Sequence, residues 1–191
     1  MSKFLAPIHQ MMYDKIKNQD KINKDLVEFF GKREMFEEIQ RNIGSLKDGE
    51  LEEIIDLQNI HGWLQSQIDI VEESFSEVVR GLLESGVTEE ELLEWFENRG
   101  KSERIATKGE EVFRIFSDSF LDGMPCDRAI QPIELEENNA KWVQNIDVHK
   151  KYWQDDGEMF NKLRCAWIRG MAENSGFEFN KDGEIYEVKR W

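Results

Sequence analysis

At 191 residues, with 39% hydrophobic and 34% charged, the chain suits one folded domain, or two small ones sharing a core, and excludes a disordered polymer. A formal charge of −15 argues against duplex nucleic acid and anionic membrane surfaces as main partners, because both need a cationic face. No stretch approaches the ~20 apolar residues of a membrane span, and the first ten residues carry too short an apolar run for a signal peptide.

Pro7 fits the first turn of a helix, where its missing N–H costs nothing. That helix is expected to reach about residue 30, anchored by Leu5, Ile8, Met12, Ile16, Leu26 and Phe29, with Gly31 as its C-terminal cap. His9 flanks the apolar stripe. A short helix follows with Met35, Phe36, Ile39 and Ile43 on one side and Gly44 as its stop. Residues 49–85 then read as one long helix. Ile54, Leu57, His61, Leu64, Ile68, Val71, Phe75, Val78 and Leu82 recur at alternating steps of three and four, the seam of a helix packed along its length. His61 stands where an Ile or Leu belongs. A buried histidine there must be hydrogen-bonded, bind something, or stay neutral at a cost.

Thr88 and Glu91 make a capping box for a helix carrying Leu92, Leu93, Trp95 and Phe96. Ser102 is placed to cap the next helix, with the stripe Ile105, Gly109, Val112, Phe116 and Phe120. Gly109 marks either a close helix–helix approach or a kink. From Asp122 the texture changes. Gly123 and Pro125 interrupt helix and make a loop around Cys126. Residues 129–136 read as a strand whose Pro132 suggests an edge position. Residues 140–146 return as a second strand with Trp142, Gln144 and Ile146 on one face. His149 opens a helix to about residue 174, interrupted at Gly157. Residues 176–180 and 184–188 pair across a Lys181-Asp182-Gly183 turn. The expected fold is α+β: a mostly helical portion, residues 1–121, packed with a ββαββ portion, residues 122–191, in which a small antiparallel sheet is covered by a helix. The two portions are expected to share one core.

The chain has three histidines, and all map to apolar helix faces or their flanks. Surface histidines would scatter onto polar faces. Each alone reads as a satisfied structural residue; together, convergence on one pocket and three separate structural roles stand level. Cys126 is the better placed of two cysteines, in a loop followed by Asp127 and Arg128. A nearby His or Arg lowers a thiol pKa, so the residue types of a Cys/His/Asp nucleophile system are present. A loop cysteine packed in the interior is the plain alternative. His9, His61, Cys126 and His149 also make a donor set acceptable to zinc or iron, without the HExxH or CxxC spacing of a local metal motif. The start of the His149 helix reads as an anion pocket, with Arg128 as a bidentate partner for a carboxylate. Trp142 and Trp153, with Tyr152 beside them, could wall an apolar or planar ligand, though covering the sheet is the stronger explanation. No glycine-rich phosphate loop is present.

The carboxy-terminal portion carries a Gly123-x-Pro125-Cys126-Asp127 loop, then His149-x-x-Tyr152-Trp153, then Gly176-Phe177-x-Phe179. Over roughly residues 118–180 this layout resembles the L-2-amino-thiazoline-4-carboxylic acid hydrolase-like family. The resemblance implies helices combined with a small sheet, and Cys126 as nucleophile or ligand with His149 beside it. Three functional expectations follow. The first is a cytoplasmic hydrolase-type enzyme acting on a small carboxylate-bearing substrate. Cys126 is its nucleophile, His149 and His61 its base and acid, Asp127 the group orienting a histidine, and Arg128 the substrate's partner. The second is a non-catalytic protein holding a metal, haem or small organic ligand on His9, His61, Cys126 and His149. The third is a helical module that forms homo-oligomers through its seams.

Overall fold

The computed structural model describes residues 5–191; residues 1–4, part of the stretch read above for a signal peptide, lie outside the described residues. The fold is α+β, with eight α-helices and one four-stranded antiparallel sheet among the described residues. Cα packing divides the chain into two compact units, Met1–Val87 and Thr88–Trp191.

The first unit holds α1 (Pro7–Phe29), α2 (Arg33–Ile43), a single turn α3 (Leu51–Ile54) and α4 (Ile60–Glu84). Met12, Ile16 and Leu26 of α1 are buried as the stripe requires, whereas Ile8 and Phe29 stay exposed. Gly31 ends the helix in the left-handed region at φ 66°. Its N–H reaches Glu28 O at 3.1 Å, and the Lys32 N–H reaches Val27 O at 2.8 Å, the paired bonds of a Schellman cap. α1 and α4 run parallel: the Tyr13 and Trp63 rings lie 5.9 Å apart, and farther along Asn23 Nδ2 donates to Val71 O at 2.9 Å. α2 runs back against α4, with Met35 beside Gly81 and Ile70 beside Gly44.

The long helix expected over residues 49–85 is two helices. The Asp56 carboxylate accepts from Gln58 N at 2.9 Å, and Asn59 Oδ1 caps α4 by accepting from Gly62 N at 3.2 Å. Such side-chain-to-backbone bonds compete with helix continuation. The buried seam therefore starts at Leu64 and holds through Ile68, Val71, Phe75, Val78 and Leu82. Leu57 and His61 are exposed, so His61 is not the buried stripe residue that its spacing suggests.

The second unit begins with α5 (Glu89–Lys101) and α6 (Gly109–Ser119). The capping box forms as expected, with Glu91 N on Thr88 Oγ1 at 3.2 Å and Thr88 N on Glu91 Oε2 at 2.8 Å. Ser102 does not cap the next helix; it closes α5, donating its hydroxyl to Asn98 O at 2.9 Å, and Ile105 is exposed. β1 (Ile130–Leu135) and β2 (Asn139–Gln144) form a hairpin. The turn between them supplies the carbonyls that take the first N–H groups of α6: Gly109 N on Glu137 O at 2.7 Å, and Glu110 N on Glu136 O at 3.1 Å. A Cβ at Gly109 would stand 2.6 Å from the Asn139 carbonyl carbon. The glycine therefore marks a close approach of helix to strand, neither a helix–helix contact nor a kink.

The helix expected from His149 to residue 174 is broken. α7 (Lys150–Trp153) is one turn, a 3-10 turn follows over Gln154–Asp156, and α8 (Gly157–Asn174) completes the stretch. Gln154 sits at φ 46°, which ends α7. β3 (Phe177–Asp182) and β4 (Ile185–Arg190) close the sheet in the order β1-β2-β4-β3, which puts Pro132 on an edge strand as expected. A bulge between Pro132 and Glu134 further blunts that edge. Trp142 pairs with Tyr186, and Ala140 with Val188, so these residues share the buried face. Ile146 lies beyond β2 and is exposed.

α6 packs on β2 and β4, α8 packs on β3, and α5 packs on α8. The α5–α8 crossing is close because it is made at two glycines. A Cβ at Gly170 would stand 2.0 Å from Glu97 O, and one at Gly100 would stand 2.1 Å from Trp167 O. Gly170→Ala is expected to lower stability by about 1–3 kcal/mol by overpacking. That loss outweighs the ~1 kcal/mol that alanine gains over glycine in a helix. Urea unfolding reads the difference, and an unmoved midpoint would mean that the helices separate at no cost.

Candidate functional site

Asp122, just past α6, joins three parts of the second unit. Its carboxylate receives both terminal nitrogens of Arg164, at 2.5 Å and 3.0 Å, in a bidentate pair. His149 Nε2 stands 3.3 Å from Asp122 Oδ1. An ionised carboxylate only accepts, so Nε2 carries the proton in this pairing. The His149 ring stacks on Phe160 with centroids 4.0 Å apart. The Arg164 guanidinium lies 4.9 Å from the Phe116 ring centroid and 5.1 Å from that of Phe120. Tyr186 lies 5.6 Å from it on the sheet side, and its hydroxyl donates to Gln144 Oε1 at 2.9 Å.

The Arg164 side chain is fully buried, and the Asp122 side chain is only 12% exposed. Burial alone would raise the Asp122 carboxyl; the Arg164 guanidinium and the His149 hydrogen bond outweigh it and hold the carboxyl well below its ordinary range. For Arg164, burial works against the cation and the Asp122 carboxylate more than restores it. Burial also pushes the Tyr186 hydroxyl well up, against the opposing pull of Arg164.

Cys126 lies in a 3-10 turn, Pro125–Asp127, and is exposed rather than packed inside. Its Sγ lies 3.9 Å from Asp127 Oδ1. Asp127 does not orient a histidine: its other oxygen accepts from Met124 N at 2.7 Å and closes the turn. Histidine orientation falls to Asp122. Arg128 is exposed and left-handed, at φ 51° and ψ 38°, and its carbonyl accepts from Asn145 Nδ2 at 3.3 Å. Val148 packs close to Gly123. The Cys126 turn and the 145–149 connection therefore lie side by side, and His149 is buried on Asp122.

The anion pocket expected at the start of the His149 helix does not form. The Asp147 carboxylate accepts from His149 N at 3.0 Å and from Lys150 N at 3.1 Å, and the helix has a single turn. Trp142 and Trp153 are buried core residues. Trp142 stacks on Tyr186 and Phe116, and Trp153 lies 5.4 Å from Phe160. Tyr152 is half-buried, with the Lys151 ammonium 4.5 Å from its ring centroid.

In the first unit, His9 and His61 do meet, with ring centroids 5.8 Å apart. His9 Nδ1 accepts from Ala6 N at 3.0 Å. Burial lowers the His9 pKa first, and the neighbouring His61 lowers it further. Among the described residues, no group of three or more His, Cys, Asp or Glu side chains is placed to hold a metal ion. Of the four residues His9, His61, Cys126 and His149, the first two belong to the first unit and the last two to the second. His9 and His149 each have a ring nitrogen engaged, by Ala6 and by Asp122.

Asp122 and Arg164 are the two members of the cluster that spacing did not single out. Arg164 carried a readable signal. It falls four residues after Phe160 and three before Trp167, a charge within the inward stripe of its helix. Asp122, at the edge of a glycine loop, carried none. Comparison with family models, with curated proteins and with solved structures returns no match. Among the described residues, no helix is long and apolar enough to cross a membrane.

Proposed function

We propose that the chain is a non-catalytic binding protein whose second unit takes a small carboxylate-bearing molecule at the turn formed by Cys126, Asp127 and Arg128. One observation carries this reading: Asp122 already engages both Arg164 and His149. His149 is buried and held on Asp122, whereas the Arg128 guanidinium and the Cys126 thiol belong to exposed residues of the turn. Arg128 suits a carboxylate through its forked donors. The two free cysteines support a reducing, cytoplasmic compartment.

A hydrolase-type enzyme on the same class of molecule is the second reading, favoured by the exposure of Cys126 and by the contact of its loop with Val148. Alkylation of Cys126 by iodoacetamide separates the two. A binding protein is expected to be alkylated at a rate that His149→Gln leaves unchanged. In the same protein, a panel of aliphatic and aromatic carboxylates should include at least one that raises the melting temperature, and Arg128→Gln should abolish that rise. Fast alkylation that is lost in His149→Gln would replace the binding reading with the enzyme.

A further inference from the structure

The parallel pairing of α1 and α4 brings two helix N-termini together, each a site of partial positive charge. His9 is the third residue of α1 and His61 the second of α4, and their rings are neighbours. Neither helix has an acidic residue in its first turn, in contrast to α5 and α6, which have Glu89, Glu90 and Glu91, and Glu110 and Glu111. The His9 ring also has a structural role. Ala6 has no side-chain oxygen to cap α1, and His9 Nδ1 reaches back to accept the Ala6 N–H. A proton on Nδ1 converts that acceptor into a donor and removes the bond.

We propose that His9 and His61 form an acid-released clasp on the first turn of α1: closed while both imidazoles are neutral, and opened when His9 takes a proton. The released cation would sit against a second imidazole and two positive helix ends. Among the described residues, His61 is the one titratable group whose charge acts on His9. Tyr13, one turn along α1, is fixed by its hydroxyl bond to Lys47 O at 2.6 Å, and burial, then Asp48 in the loop before α3, raises its pKa. Tyr13 therefore stays neutral throughout the range in which histidine titrates. The proposal concerns the first unit and stands apart from the ligand reading of the second.

The sign follows from the geometry. His9 is harder to protonate in the folded chain than in the unfolded one. The clasp's contribution is therefore complete above the ordinary histidine value of 6.5 and is lost as the pH falls below it. Three histidines give three ring signals, so an NMR titration between pH 8 and pH 4.5 resolves His9 directly. Its midpoint is expected below 6.5, and His61→Gln, at an exposed position, should raise it. Exchange of the Ala6 amide, corrected for intrinsic pH dependence, should quicken about tenfold with the same midpoint. The side-chain amide of Asn23, bonded to Val71 O in mid-bundle, should stay protected over that range. A His9 midpoint at or above 6.5, a midpoint unmoved by His61→Gln, an Ala6 amide indifferent to pH, or Ala6 and Asn23 opening together would each overturn the clasp.

Discussion

Asp122→Asn is expected to cost about 3–5 kcal/mol, and Arg164→Met distinctly less. Breaking a buried pair from either side leaves one partner uncompensated. The survivors differ, however. A stranded carboxylate can take up a proton and become neutral, and His149 remains beside it. A stranded guanidinium cannot give up its proton at any pH at which the protein folds. Arg164 is fully buried among Phe116, Phe120 and Tyr186, whose rings offer it no replacement for the lost carboxylate. The double variant that combines Asp122→Asn with Arg164→Met should recover most of the loss, because isosteric uncharged replacement of a buried ion pair is often near neutral. Urea unfolding of the three variants measures the asymmetry; equal single losses would mean that Arg164 finds another acceptor.

The same pair contributes to the acid limb of the second unit's stability. The Asp122 carboxyl is held below its ordinary value of 3.8, so the folded state binds fewer protons there than the unfolded one. That contribution is whole above pH 3.8 and disappears as the pH falls through the native value. Asp122→Asn should therefore flatten the acid limb of the stability curve as well as lower its plateau.

The second large effect is expected at Trp142. Trp142→Ala should cost about 3–5 kcal/mol, a fifth or more of the stability of an ordinary domain. The indole is fully buried where sheet meets helix. It stacks on Tyr186 at 5.7 Å, on Phe116 at 5.1 Å, and beside Phe113 at 5.5 Å. Its removal opens a void lined by three rings, and aromatic contacts add to the area lost. Trp142 also stands in the rank of residues that, read in sequence, could wall a ligand. A variant that unfolds early in urea assigns it to the core, whereas one with normal stability and weakened carboxylate binding would return it to the site.

Much of the fold was legible because it is written in local periodicity. The apolar steps from Leu64 to Leu82, the Thr88–Glu91 box, the Pro132 edge and the turn at Gly183 all use neighbours within a few residues. The breaks were less legible. Asp56 and Asn59 divert backbone N–H groups with short side chains that a helix also tolerates on its surface. The spacing therefore carries the seam through His61, whereas the packed seam begins one turn later. The site was legible in kind more than in place. His149 did prove to be a buried polar residue with a carboxylate, but that carboxylate is Asp122, since Asp127 is spent on its own turn. The link from Asp122 to Arg164 spans 42 positions. No local pattern reports a pairing that only the packing of α8 against the sheet creates.

The capping of α6 has a kinetic consequence. Its opening N–H groups are satisfied by Glu136 and Glu137, carbonyls that come into position only once β1 and β2 have turned back on each other. A short helix in water is marginal by itself. α6 is therefore a late partner during refolding: its nucleation waits on closure of a loop that ends in the hairpin, so the two elements should form in one cooperative step.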